Sequence, residues 1–179
     1  MKKILAVILL SLSIFACNNK NLSSNLFGKE KEQNSENLRK ATVVKVYDGD
    51  TVTLADGTKL RLYGIDAPEK KQNGGMFAQQ MLYSKIFGKN IEYDPINTDR
   101  YGRTVAKIYL NGEYINEYMV KNGGAWYYEE YAKNDYDLKN AFINAKNNKI
   151  GIFKDKNIEN PSNYRREKRE KRNNYNKRR

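Results

Sequence analysis

Residues 43–69 read VVKVYDGDTVTLADGTKLRLYGIDAPE and contain three short runs of alternating apolar and polar residues. Two turn signals, Asp48-Gly49 and Asp56-Gly57, separate these runs. Alternation with a period of two is typical of a strand with one buried face, and Asp-Gly favours a tight turn. The stretch therefore predicts a three-strand meander. Its predicted strands are 42–47, 51–54 and 59–63.

The pattern of elements beyond the meander indicates a small barrel. Further strands are predicted at 89–93, 103–110 and 113–114, and helices at 76–87, 115–121 and 134–147. We therefore predict an α+β fold, a five-stranded OB-type Greek-key β-barrel with three α-helices. Barrels of this type commonly bind nucleic acid on one face, but the fold alone does not distinguish binding from cutting.

Carboxylates lie at or next to the ends of the meander strands. They are Asp48, Asp50, Asp66 and Glu69. Carboxylates that converge repel one another unless a cation lies between them, and an all-oxygen shell suits Ca²⁺. We expect strand pairing to bring Asp50 and Asp66 together, with a backbone carbonyl as a third oxygen ligand. Glu69 could hold or deprotonate a water molecule beside the metal.

Two arginines complete a candidate phosphodiester site. Arg61 lies in the third predicted strand, and Arg103 begins the fifth. Their planar guanidinium groups suit phosphate, and they would stabilise the added charge of a five-coordinate phosphorus. A surface ion pair is the alternative explanation for either arginine alone.

Composition limits both the chemistry and the partner. The 179 residues contain no His and one Cys, which excludes His-based acid–base catalysis and argues against a zinc site. The net charge is +12, and residues 165–179 alone contain nine Lys or Arg against two Glu. A basic balance favours nucleic acid or anionic lipid as the partner.

The N-terminal segment predicts export. Residues 1–16 combine a basic start with a short apolar run, which is typical of a signal peptide, and the sequence IFAC at 14–17 resembles a bacterial lipoprotein cleavage site. We predict that Cys17 is acylated and that the chain is exported as a lipid-anchored monomer facing the periplasm or the exterior. An ordinary secretory signal is the alternative.

Domain boundaries follow from composition. We predict a lipoprotein signal peptide at 1–16, a disordered tether at 17–40, the OB domain at 41–156 and a basic disordered tail at 157–179. Two interpretations of the tail stay open. It is either a solubilising charge run or an electrostatic contact for substrate or an anionic membrane.

Three motifs in fixed order carry a family resemblance. They are ATVVKVYDGDTVTL at 41–54, RLYGIDAPE at 61–69 and TDRYGR at 98–103. The chain resembles staphylococcal nuclease and its thermonuclease relatives over residues 41–153. The resemblance implies a Ca²⁺-dependent endonuclease acting on DNA and RNA by in-line attack of water, which leaves 3′-phosphate ends. A non-catalytic OB-fold lipoprotein that binds nucleic acid is the alternative.

The resemblance also implies roles for the acidic residues. Asp50 and Asp66 correspond to the carboxylate ligands of Ca²⁺, and the main-chain oxygen of Ala67 corresponds to a third ligand. Asp48 corresponds to a residue that supports the metal site without touching the ion. Glu69 corresponds to the residue that activates or orients the attacking water.

The resemblance assigns the remaining site residues to the substrate. Arg61 and Arg103 correspond to the two arginines that hold the phosphate. Tyr101 and Tyr131 correspond to positions that contact the terminal phosphate and stack with a base, and Arg100 replaces a frequent Lys beside them. Core packing is the alternative for Tyr131, which lies in a cluster of aromatic residues.

Overall fold

The computed structural model describes residues 38–179. The signal peptide, Cys17 and the tether up to residue 37 lie outside the described residues, so those predictions stay untested. The strands in the described part are β1 (Arg39–Val46), β2 (Thr51–Leu54), β3 (Lys59–Leu62), β4 (Ile65–Asp66), β5 (Asn90–Thr98), β6 (Thr104–Leu110), β7 (Glu113–Tyr114) and β8 (Trp126–Tyr127). The helices there are α1 (Gly75–Ile86), α2 (Ile115–Lys121), α3 (Glu129–Ala132), α4 (Tyr136–Asn147) and α5 (Pro161–Lys177).

Five strands close a barrel in the order β1-β2-β3-β6-β5. Strands β1, β2 and β3 form the predicted antiparallel meander, and β5 pairs antiparallel with both β1 and β6. A parallel pairing of β3 with β6, which sets Leu60 opposite Thr104, joins the two edges. The predicted α+β fold with an OB-type Greek-key barrel is confirmed.

The barrel interior is aliphatic, as the alternating pattern predicts. Val43, Val52, Leu54 and Leu60 are fully buried on the inner face of the meander. Helix α1 contributes Leu82 and Ile86, both fully buried, to the same core. Phe77 of the same helix is 46% exposed and lies outside this core.

A buried polar side chain attaches α2 to the barrel. Asn116 is fully buried, and its Nδ2 donates to the carbonyl oxygens of Tyr63 (2.8 Å) and Ala106 (3.2 Å). Its Oδ1 accepts from the backbone N–H of Ile108 at 3.0 Å. Removal of such a satisfied amide would leave buried backbone groups without partners. Asn116 therefore fixes α2 against both β6 and the end of β3.

A smaller sheet and a second apolar cluster hold the chain beyond α2. Strand β4 pairs antiparallel with β8, with Asp66 opposite Trp126. Trp126 packs edge-on against Phe153 at a centroid distance of 5.0 Å, within a cluster that includes Ala145 and Ile152. Residues 151–154 form a short 3₁₀ helix there, so the C-terminal part of the domain folds back onto its body.

The predicted number of helices and the predicted start of the domain are wrong in detail. The three predicted helices exist as α1, α2 and α4, and the described chain has α3 and α5 in addition. Strand β1 starts at Arg39, where Arg39 and Lys40 pair with Tyr93 and Glu92 of β5, so the tether ends before residue 40. No helix within residues 38–179 has the length and apolar character needed to span a bilayer.

The prediction of a disordered tail at 157–179 is wrong over Pro161–Lys177, which forms α5. The physical reason is local. The Asn160 side chain accepts from the backbone N–H of Ser162 at 2.9 Å, and Pro161, which is buried, occupies the first turn. An Asn cap followed by Pro is favourable chemistry for starting a helix.

Candidate active site

The turn between β1 and β2 brings the first acids to the barrel rim. Gly49 lies so close to α1 and to the residue after β4 that a Cβ there would lie 2.6 Å from Ala78 Cβ and 2.7 Å from Ala67 Cβ. The turn is completed by Asp50, whose backbone N–H donates to Asp48 Oδ1 at 3.1 Å. Gly49 is therefore needed for close approach of this turn to β4.

That approach joins the turn to the segment after β4. Asp50 is 5% exposed, and its Oδ2 accepts from the backbone N–H of Ala67 at 2.8 Å. Asp66, the preceding residue, is 2% exposed. The structure therefore brings together the two carboxylates predicted to hold a metal, although sixteen positions separate them in the chain.

Arg61 neutralises both buried acids. Its Nη2 lies 3.2 Å from Asp50 Oδ2 and 3.3 Å from Asp66 Oδ1, and its Nη1 donates to the carbonyl oxygen of Leu62 at 3.0 Å. The side chain is 13% exposed. Strand pairing explains the position, because Arg61 lies opposite Thr51, the residue after Asp50.

A hydrogen-bonded chain connects Arg103 to the same acids. Arg103 donates from Nε to Asp99 Oδ2 at 2.7 Å and from Nη1 to Thr51 Oγ1 at 3.2 Å. The Thr51 hydroxyl in turn donates to Asp50 Oδ1 at 3.0 Å. Asp99 also accepts the backbone N–H of Arg103, so the side chain is held at the start of β6. The two predicted phosphate-binding arginines, Arg61 and Arg103, thus lie at the same end of the barrel.

Glu69 lies at the open edge of this group. Its side chain is 42% exposed, and its Oε1 accepts from Arg165 Nη1 at 3.2 Å. Its backbone is fixed, because its N–H donates to Gln72 Oε1 at 3.2 Å and its carbonyl accepts from Gln72 N at 2.7 Å. Gly75 lies against the same carbonyl, where a Cβ would overlap the oxygen.

Burial of neighbouring acids shifts their protonation. Burial, reinforced by the adjacent Asp50 carboxylate, raises the pKa of Asp48 to about 7. Burial also raises the pKa of Asp66, against the opposing effects of Arg165, which donates to it, and of Arg61. The raised pKa values mean that negative charge is unfavourable at this end of the barrel. Binding of a proton or another cation therefore stabilises it.

The donor set fits Ca²⁺ with two carboxylate ligands. Asp50 and Asp66 offer hard oxygens to one cation position, and Ala67 follows directly with a main-chain carbonyl. Within residues 38–179, no group of three or more acidic, His or Cys side chains is arranged to hold one metal ion. A calcium ion here would complete its shell with backbone oxygen and water. Asp48 Oδ1 accepts from the backbone N–H of Asp50, so Asp48 contacts the backbone of a predicted ligand.

The tyrosines predicted to contact substrate are exposed. The Arg103 and Arg100 guanidinium carbons lie 5.5 and 5.0 Å from the ring centroid of Tyr101, which is 70% exposed. Tyr131, which is 62% exposed, packs edge-on against Tyr128 at 4.7 Å. Burial, and after it the charge of Asp66, raises the pKa of Tyr128, the residue whose ring Tyr131 contacts. Tyr131 is therefore not part of the covered core.

Arg165 is the site residue that sequence reasoning missed. Its guanidinium group donates from Nη2 to Asp66 Oδ2 at 2.8 Å and from Nη1 to Asp66 Oδ1 at 3.1 Å. No sequence motif indicates a contact between two residues that are 99 positions apart in the chain. The available signal was the Asn160-Pro161 pair, which indicates a helix start nearby.

Comparison with known proteins shows the family to which the chain belongs. The family described as "Staphylococcal nuclease homologue" matches residues 59–155, which is more than half of the chain. The chain belongs to the staphylococcal nuclease family. Membership of this family supports nuclease activity in general.

Bacterial relatives are similar over most of their length. A protein of Escherichia coli named "Uncharacterized endonuclease" is 39% identical over 117 residues, covering 63% of this chain and 76% of that protein. A Haemophilus influenzae protein of the same name is 41% identical over 129 residues, covering 70% and 72%. A Shigella flexneri protein named "Micrococcal nuclease" is 33% identical over 137 residues, covering 69% and 79%.

Proposed function

We propose that this chain is a Ca²⁺-dependent endonuclease that hydrolyses phosphodiester bonds of DNA and RNA and leaves 3′-phosphate ends. The observation that carries the proposal is the continuous set of contacts from Arg103 through Thr51 and Asp50 to Arg61 and Asp66. It combines two buried oxygen donors with two permanent cations on one barrel rim. A protein that only binds nucleic acid does not require that combination.

In this proposal the arginines bind the scissile phosphate. Arg103 Nη2 has no protein partner within residues 38–179, so its two N–H groups are available to a phosphate oxygen. Arg61 stays against Asp50 and Asp66 and adds a second guanidinium to the same region. Both cations stabilise the charge that builds up as phosphorus becomes five-coordinate.

The carboxylates have two different roles in this proposal, metal binding and activation of the attacking water. Asp50, Asp66 and the main-chain oxygen of Ala67 would hold Ca²⁺, which when bound supplies charge stabilisation to the phosphate oxygens. Glu69 is more exposed and takes the proton of the attacking water. A new bond forms between the water oxygen and phosphorus, and the bond from phosphorus to the 5′-oxygen breaks. That oxygen leaves and takes a proton from solvent water, and Glu69 returns its proton to solvent, so the products are a 3′-phosphate and a 5′-hydroxyl.

Cleavage of end-labelled DNA and RNA by the full chain, with Ca²⁺ or with excess EDTA, tests the proposal. We expect cleavage with Ca²⁺, 3′-phosphate ends on the products, and loss of activity in EDTA. Activity that persists in excess chelator would contradict metal dependence. Retention of nucleic acid without any cleavage would favour the alternative of a non-catalytic OB-fold binding lipoprotein.

We further propose that the protein is an exported monomer attached to a membrane through lipid on Cys17. The support is the sequence pattern of residues 1–17, and Ca²⁺ is abundant outside cells, where a weak oxygen site would fill. Labelling of cells with radioactive palmitate tests the attachment. The full chain should be labelled and the Cys17→Ser variant should not, and equal labelling of both would overturn the assignment.

A further inference from the structure

The carboxylates of the proposed metal site already have a cation from the chain itself. Arg165 of α5 donates to both carboxylate oxygens of Asp66, at 2.8 and 3.1 Å, and to Glu69 Oε1 at 3.2 Å. These two acids are a proposed metal ligand and the proposed water-activating residue. A guanidinium fork on a carboxylate is a strong, charge-assisted contact with defined geometry. Arg165 thus satisfies the negative charge of these two acids.

Residues 155–160, which precede α5, fix the position from which Arg165 reaches Asp66 and Glu69. Glu159 accepts at its carbonyl oxygen from Gln72 Nε2 at 2.6 Å, and Asp155 Oδ2 accepts from Asn73 Nδ2 at 2.6 Å. Ile158 packs against the cluster of Trp126 and Phe153. These contacts tie the segment to the loop that follows Glu69. The direction and the first turn of α5 are therefore set by the body of the domain.

The remainder of α5 is free of the barrel. Its first residue, Pro161, is buried, whereas every residue from Arg166 onward is exposed. The Arg165 side chain is itself 36% exposed. Breaking its contacts would expose little apolar surface. The helix can therefore withdraw Arg165 without disturbing the barrel core.

We propose that α5 is an internal ligand of the active site, in which Arg165 competes with Ca²⁺ for Asp66 and at the same time holds Glu69. The proposal rests on the proposed function in assigning Asp66 to the metal. Because Asp66 cannot give the same oxygens to a guanidinium fork and to a metal ion, binding of one excludes the other. The apparent affinity for Ca²⁺ is then reduced by the fraction of molecules in which Arg165 is docked.

Calcium titration calorimetry of the full chain tests the competition. Arg165→Ala should bind Ca²⁺ about tenfold more tightly than the wild type, as expected if about nine-tenths of the molecules are docked. Arg166→Ala is the matched control, because it removes the same charge from the next, exposed position of α5. Its Kd should equal that of the wild type. Equal Kd values for the Arg165→Ala and Arg166→Ala variants would overturn the competition while leaving the proposed function intact.

Amide hydrogen exchange gives a readout that is independent of cleavage. In the wild type, saturating Ca²⁺ should accelerate exchange across the first turns of α5, because Arg165 leaves Asp66. In the Arg165→Ala variant, exchange there should be fast without Ca²⁺ and should not change when it is added. Exchange in the wild type that is unchanged by bound Ca²⁺ would overturn the proposal.

Two other outcomes would overturn the competition and would show which alternative explanation applies. If none of the three proteins binds Ca²⁺, both the metal assignment and the competition are wrong. If Arg165→Ala lowers kcat by about a hundredfold, the scale of one lost transition-state contact, and leaves the Kd for Ca²⁺ unchanged, Arg165 contacts the substrate and the competition is overturned. The competition predicts the reverse pattern, a changed Kd that the control variant does not share.

Discussion

Two arginines reach Asp66 from regions of opposite character. Arg61 projects from β3, is 13% exposed and lies in a strand paired on both sides. Arg165 projects from α5, is 36% exposed and lies in a helix that contacts the domain only at its start. The same guanidinium–carboxylate contact is therefore held by paired strands in one case and by the first turns of an exposed helix in the other.

The largest expected effect is on stability, and it separates these two arginines. Arg61→Ala leaves two buried carboxylates without their shared partner, and we expect it to lower the free energy of unfolding by about 3–5 kcal/mol. Arg165→Ala breaks a more exposed contact and should cost about 1.4 kcal/mol, the free energy of a contact that is formed in about nine-tenths of the molecules. Urea denaturation of both metal-free variants measures the difference. Equal losses would mean that α5 is as integral to the fold as β3.

The next largest effect is expected on the rate of cleavage, in variants of the site residues carried by the barrel and its loops. Glu69→Gln and Arg103→Ala should each reduce the rate at least about a hundredfold, because each removes one contact to the reacting groups. Glu113→Gln, on an exposed residue paired with Lys85, is the control and should cleave at the wild-type rate. Near-normal cleavage by both site variants would contradict their assignment.

A smaller effect should appear on the helix side, in substrate binding. Replacing Arg169 and Arg172 of α5 with Gln should raise KM several-fold at low salt and weaken the dependence of KM on salt, if the exposed basic helix contacts nucleic acid. The control variant replaces the exposed Lys121 and Lys133 with Gln, which changes the net charge equally. Unchanged kinetics in the α5 variant would favour the solubilising role of this segment.

The smallest effect concerns pH and the crowding of acids on the rim. The pKa of Asp48 is raised from about 3.8 to about 7 in the folded chain, so its contribution to stability is full below about pH 4 and is lost as pH rises through 7. Asp48→Asn keeps an oxygen that can accept the Asp50 N–H but cannot ionise. Between pH 5 and 8, the Tm of the metal-free wild type should fall more than that of Asp48→Asn, by on the order of 5 °C. Parallel pH profiles would show that Asp48 is not the responsible group.

Much of the barrel and of its site residues could be predicted, because the sequence patterns that indicate them are local. Alternation gave the meander, and the DGD and IDAPE motifs gave the acids, which pairing of short strands then brought together. Helices α3 and α5 lacked such local patterns. Helix α3 has four residues, too few to show a period, and α5 has no apolar face beyond its first turns, which made it resemble a disordered segment. The Arg165 contact depends on the path of the whole chain.

The parallel seam between β3 and β6 has a consequence for biosynthesis. Leu60 must find Thr104 across a long intervening chain, and such closure costs entropy before its contacts stabilise the fold. Arg103 lies at the end of this seam. A growing polypeptide that has not yet produced β6 would hold its acids and Arg61 without the second phosphate-binding arginine. Under the proposed function, the nascent chain therefore acquires its pair of phosphate-binding arginines only when synthesis reaches the start of β6.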